Sequence, residues 1–180
     1  MQMFCLRREQ GRLGEVLPAL QHFVRDTPAA RTWRPGLALL YAELDMRAQC
    51  QAAFDSLDWS QLESLPKDAG SITVIAFAAE VCAYLGDAPR AERLYRPLRP
   101  YAGSNLLADL SGPCLGSADR LLGQLAGVLE QWDVAAQHFE AALMMDEYTG
   151  ARVWLTHSRY DYASMLQRRG RAADIELARS

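Results

Sequence analysis

The sequence predicts an all-α protein, a right-handed α-solenoid of about five helical hairpins. Three observations carry that expectation. Ala, Leu, Arg, Gln and Glu, all good helix formers, fill the long segments. Glycine and proline cut the 180-residue chain into stretches of about 10 to 18 residues. After successive turns, a small or short apolar residue is followed four positions later by a larger apolar one, the mark of a repeated packing unit.

The elements follow in order. The chain opens MQMFCLRREQ, a helix with no capping residue before it, and turns at Gly11. GRLGEVLPALQHF (11–23) places Val16 and Leu20 four apart, with Pro28 beyond. Trp33 begins the next helix, where Ala38 and Tyr41 precede a turn at Asp45. DMRAQCQAAFDSL (45–57) then sets Cys50 and Phe54 at the same offset. DWSQLESLPKDAG (58–70) reads as a loop, with Trp59 its candidate exposed contact. SITVIAF (71–77) is the one strand-like run. The apolar positions 75, 78, 79, 82 and 85 keep a 3.6-residue period through it, so it is read as helix.

Ala79 and Cys82 precede Gly86, and GDAPRAERLYRPL (86–98) sets Ala91 before Tyr95. RPYAGSNLLADLSGPCL (99–115) reads as a second loop. Gly123 and Ala126 precede Glu130, and EQWDVAAQHFEAAL (130–143) aligns Ala135, Phe139 and Ala142. Trp154 opens the next helix, where Ala163 and Leu166 precede Gly170. ADIELARS begins a second helix of the last hairpin. In each hairpin the small residue lets two helices approach and the large one fills the groove beside it.

Composition narrows the function classes. With 50% hydrophobic and 23% charged residues, a chain of this length can bury a real core as one domain, 1–180. The net charge is -3, and the basic residues (18 Arg, with Lys67 the one Lys) are scattered among acids. No basic stripe marks a nucleic-acid surface, so no direct nucleic-acid partner is expected. No run of 18 apolar residues suggests a membrane span, and the N-terminus lacks a signal-peptide core, so a cytoplasmic location is expected. Cys5, Cys50, Cys82 and Cys114 lie 45, 32 and 32 residues apart, too far for the close pairs that zinc and redox motifs need. They are read as free thiols.

The sequence carries no nucleophile elbow, no HExxH and no dinucleotide-binding GxGxxG, so it nominates no catalytic, cofactor or metal residue, and no enzyme is expected. His22 and His138 each precede an aromatic residue on a second helix, which suits packing or hydrogen bonding. Asp133 and His138 lie five apart, about 140° round a helix, and cannot easily share a ligand. His157 and Asp161 share a face at i, i+4 and suit a surface hydrogen bond. Trp33, Trp132 and Trp154 are read as wedges between neighbouring hairpins.

The spacing resembles the tetratricopeptide repeat, a 34-residue helix–turn–helix unit. The turns at 11, 45, 86, 130 and 170 are separated by 34, 41, 44 and 40 residues. Asp45 and Glu130 stand where the repeat prefers Gly, and Pro28 alone matches its closing Pro. AEVCAYLGDAPRAERLYRPLRPYAG, GSADRLLGQLAGVLEQWDVAAQHFEAAL and GARVWLTHSRYDYASMLQRRGR further resemble the C-terminal helical-repeat region of large bacterial signalling ATPases. Those proteins join an ATPase to a transcriptional activator or a nucleotide cyclase.

The resemblance implies a non-catalytic interaction or regulatory scaffold module. Its partners would be a protein segment or the parent chain's other domains, the sequence itself being a fragment. The alternative it implies is a small-molecule effector-sensing domain of a transcriptional regulator. Leu6, Phe4, Ile175 and Leu177, at uncapped ends, would favour homo-oligomers. In such repeats the first helix of each hairpin lines a concave groove. Register then nominates Thr73, Glu80 and Tyr84; Ser117, Arg120 and Gln124; and His157, Tyr160, Ser164 and Arg168 as groove-binding residues.

Overall fold

The computed structural model describes residues 1–27, 33–63, 69–108 and 112–171. Pro28, Pro66, Lys67, Ile175, Leu177 and the helix expected within ADIELARS lie outside the described residues. The described chain is mostly helical, with one small two-stranded sheet. It divides into two compact units, Met1–Leu85 with Leu107–Leu115, and Gly86–Leu106 with Gly116–Ser180. Among the described residues no helix is long and apolar enough to cross a membrane.

The first unit holds α1 (Gln2–Glu9), α2 (Leu17–Asp26), α3 (Arg34–Glu43), α4 (Arg47–Asp55), α5 (Trp59–Glu63) and α6 (Ala69–Leu85). SITVIAF is helical, as its period predicts, and Ser71 to Ala79 are all buried. Helix α3 packs on both α4 and α6, burying Ala38, Leu39, Leu40, Cys50 and Phe54. Phe4, expected at an uncapped end, is instead buried, its ring 5.5 Å from Phe77 and edge-on to Trp33 at 6.5 Å. Leu6 does stay exposed.

The second unit holds α7 (Ala88–Leu98), α8 (Ala118–Val128), α9 (Trp132–Thr149) and α10 (Arg152–Arg169). Asp87 and Ser117 cap α7 and α8, their side chains accepting backbone N–H bonds from Arg90 and Asp119. Ala126, Ala135, Phe139, Met165 and Leu166 form one buried cluster, with Tyr95, Trp132 and Tyr162 against it. A Cβ on Gly123 would stand 3.0 Å from three atoms of the Phe139 ring. The small residue on α8 therefore admits the aromatic of α9, the packing its spacing predicts.

Two segments differ from their expected loops. Residues 99–115 contain a 3₁₀ turn (Arg99–Tyr101) and two short strands, β1 (Asn105–Leu107) and β2 (Cys114–Ser117). Pairing the strands satisfies backbone groups that burying Leu106 and Leu115 would otherwise strand. Trp59 is not a loop contact but opens α5, half-buried and edge-on to Phe54 at 5.0 Å.

The turns are alike. Gly11, Asp45, Gly86, Glu130 and Gly170 all adopt left-handed φ, between 55° and 74°. At Gly11, Asp45 and Glu130, and also at Gly150, two bonds close the turn, from the turn residue's N–H and from the next one's. At Asp45 they reach Ala42 at 3.0 Å and Tyr41 at 2.8 Å. This is a helix C-cap that satisfies the last carbonyls and aims the chain back. The four cysteines are free thiols, and burial pushes the Cys50 thiol up to about 11.

Candidate functional site

The ten groove-binding candidates fall in both units. In the first, Thr73 is buried and its hydroxyl donates to the Ala108 carbonyl at 3.1 Å. Glu80 accepts Arg8 at 2.6 Å, and Arg8 also holds Glu43 at 2.6 Å. Burial opposes the Arg8 charge, but the two carboxylates outweigh it and push its pKa further up. Tyr84 donates to Asp45 at 2.7 Å, with the Arg47 guanidinium 5.5 Å from its ring centre. All three tie elements of their own unit together.

In the second unit, Ser117 and Arg120 are each 1% exposed, so neither is a surface group. Arg120 reaches Asp161 of α10 at 2.8 Å and lies over the Trp154 ring at 5.4 Å. Gln124 donates to the same Asp161 oxygen at 2.7 Å, while its own Oε1 is buried without a hydrogen-bond partner. His157 lies tilted against Trp154 at 5.3 Å. Arg168 donates to the Gly127 carbonyl at 3.2 Å and covers Trp132. Ser164 donates to the Tyr160 carbonyl within its own helix. Tyr160, 72% exposed, and Arg168 are the members of the set that are exposed.

A polar cluster thus joins α8 to α10, and register found its α8 half. Asp161, which the helix pattern paired with His157, accepts from Arg120 and Gln124. Asp146 of α9 and Ser158 of α10, both fully buried and hydrogen-bonded at 2.7 Å, went unnominated. Burial pushes the Asp146 carboxyl up, against the Ser158 hydroxyl and the nearby Arg120 and His157.

A second network runs through Asp119, His138 and Tyr95. Asp119 meets His138 Nδ1 at 2.7 Å and accepts the Gly103 N–H at 2.6 Å, and His138 Nε2 meets the Tyr95 hydroxyl at 2.8 Å. Burial would raise the Asp119 carboxyl, but these donors hold it below its ordinary value. His138 therefore hydrogen-bonds between helices, one of the two roles, packing or hydrogen bonding, expected from its place beside Phe139. Burial also pushes the Tyr95 hydroxyl above its ordinary value.

The surface shows what the polar residues do not. Val134, Gln137, Ala141, Met144 and Tyr148 are exposed along α9, at alternating spacings of 3 and 4. Met144 is 72% and Tyr148 91% exposed. That spacing is the signal that could have found them, since residues 3 and 4 apart share one face of a helix; Val134, Met144 and Tyr148 are its large apolar members and Gln137 is polar. Beside it run Asp133, Glu140 and Glu147, seven apart, meeting Arg171, Tyr162 and Arg159. Among the described residues no group of three or more His, Cys, Asp or Glu is placed to hold a metal.

No protein-family model, curated protein or solved structure matches the chain.

Proposed function

We propose that the chain is a non-catalytic protein–protein interaction module, a right-handed solenoid of tetratricopeptide-like hairpins from a larger regulatory protein. The hairpin reading is supported by the shared left-handed turns and by the Gly123–Phe139 seam. The observation that carries the function is the apolar seam on α9. Large apolar side chains at helix–helix spacing, left in water, suit a partner's amphipathic helix, whose own i, i+3, i+4 anchors would cover them. The binding surface is then the outer face of the second helix of a hairpin, and the buried polar groups of α8 hold that face in place.

A photo-crosslinking residue at position 144 tests this in cells expressing the full-length parent. One discrete adduct, to another protein or to the parent's own domains, is expected there and not from the exposed, charged Glu92 position. Equal labelling from both positions, or none from 144, overturns the reading.

A further inference from the structure

Helices α2, α3 and α4 of the first unit enclose an open groove of about 800 Å³. That is the size of a small-molecule site. Val24, Leu37, Ala52 and Ala53 give it an apolar wall, and Arg34 and Tyr41 stand at its polar edge. Arg34 is half-buried. Among the described residues its hydrogen bond is one long contact, Nη1 to the Ser56 carbonyl at 3.4 Å, and no carboxylate pairs with it. Arg8 and Arg12 of the same unit each hold a carboxylate within 2.7 Å. Arg25, which also lines the groove, is paired with Asp26 at 2.7 Å, and Arg47 donates to the Tyr84 and Leu85 carbonyls. Arg34 is the contrast. Tyr41 accepts the Gln21 amide at 2.8 Å, which leaves its own proton to donate to an oxygen in the groove.

We propose that this groove binds a small amphipathic carboxylate, an anionic head on an aliphatic body. A planar guanidinium binds a carboxylate through two parallel N–H bonds, and Arg34 presents that fork beside apolar surface. The Tyr41 hydroxyl supplies a further donor. Ala52 and Ala53 keep the wall low enough for an alkyl chain to lie against Leu37 and Val24. The site is independent of the α9 seam, which belongs to the other unit.

Octanoate is the probe, titrated into the whole chain below its micelle concentration and followed by calorimetry and amide chemical shifts. Two controls separate head from body: octanamide lacks the charge and acetate lacks the chain. Saturable one-to-one octanoate binding is expected, with shifts centred on Leu37, Tyr41, Gln49 and Ala53. Octanamide, acetate and the Arg34→Gln variant should each bind at least about ten-fold more weakly, the scale of one charged hydrogen bond. Ala53→Trp fills the groove and should abolish binding even if Arg34→Gln fails to fold. Equal affinity for octanamide, unchanged binding by Ala53→Trp, shifts centred elsewhere, or no saturable binding would each overturn the proposal.

Discussion

Helices α8 and α9 are the two arms of one hairpin, joined at Glu130, and they treat their side chains in opposite ways. All but Gln124 of the eleven residues of α8 are buried, Asp119 and Arg120 included. Of the eighteen residues of α9, Ala135, Phe139, Ala142 and Asp146 are buried, and the outer face displays methionine and tyrosine to water. A helix packed against α7, α9 and α10 must find partners for every polar group it carries. A helix with an open side has no such demand and can keep apolar residues there. In this hairpin charge therefore marks structure and exposed apolar surface marks the candidate contact, the reverse of the usual first guess.

The comparison breaks first at the seam between the two arms. Phe139→Ala should cost about 3–5 kcal/mol in urea unfolding, because it empties a fully buried site. Gly123→Val, which drives side chain into the Phe139 ring, should cost about 1–3 kcal/mol. Unchanged midpoints would mean that the helices do not meet as described.

The two buried carboxylates sharpen it next. Asp119 has two strong donors, and its folded pKa lies below the ordinary value. Its stabilisation is therefore present above the unfolded value, about 3.9, and is lost as pH falls through the depressed one. Asp146 receives the Ser158 hydroxyl on one oxygen, its other oxygen has no hydrogen-bond partner, and its folded pKa is raised. Its ionisation costs stability, and that cost grows as pH rises from the unfolded value through the folded one. Asp119→Asn should lose about 1–3 kcal/mol at pH 7, and less in acid. Asp146→Asn keeps an acceptor for Ser158 and should lose nothing at pH 7, gaining on wild type as pH rises from 4. Unfolding curves between pH 3 and 7 with the same slope for both variants would contradict the assignment.

Smaller still is the effect at the turn. Glu130 holds a left-handed φ of 58°, a conformation that costs a side-chain-bearing residue roughly 1–2 kcal/mol. After glycine's own entropy cost, Glu130→Gly should raise stability by about 0.5–1 kcal/mol, read from the thermal midpoint. Asp45 is the poorer test, because it also receives the Tyr84 hydroxyl. Smallest of all, Met144→Glu with Tyr148→Glu should change stability by less than about 0.5 kcal/mol, since both side chains lie in water. A large loss would place them in the fold and not on a binding face.

How much of this was legible follows from range. Helices and turns are written locally, so SITVIAF was read correctly through its period. The repeat spacing placed turns at Asp45 and Glu130, where residue type alone would not. Strands of three and four residues carry too little alternation to be seen, so 105–107 and 114–115 read as loop and Ser117 as part of the helix that follows. Polar residues misled for a different reason. Register puts Arg120 and Gln124 on one face of α8, but nothing local says that Asp161 of α10 will meet them. The neighbour Phe139 leaves His138 either packing or hydrogen bonding, and the partners that decide it lie 19 and 43 residues away. The α9 seam was readable from its spacing of 3 and 4 and was masked by the stronger Ala–Phe–Ala stripe on the opposite side.

The polar face between α8 and α10 is internal, and a double-mutant cycle on Arg120→Ala and Asp161→Ala measures that. The pair is 2.8 Å apart with the guanidinium buried, so a coupling of about 1.5–3 kcal/mol is predicted from urea unfolding of the four proteins. A coupling near zero, with Arg120→Ala as stable as wild type, would contradict it and return Arg120 to the binding surface.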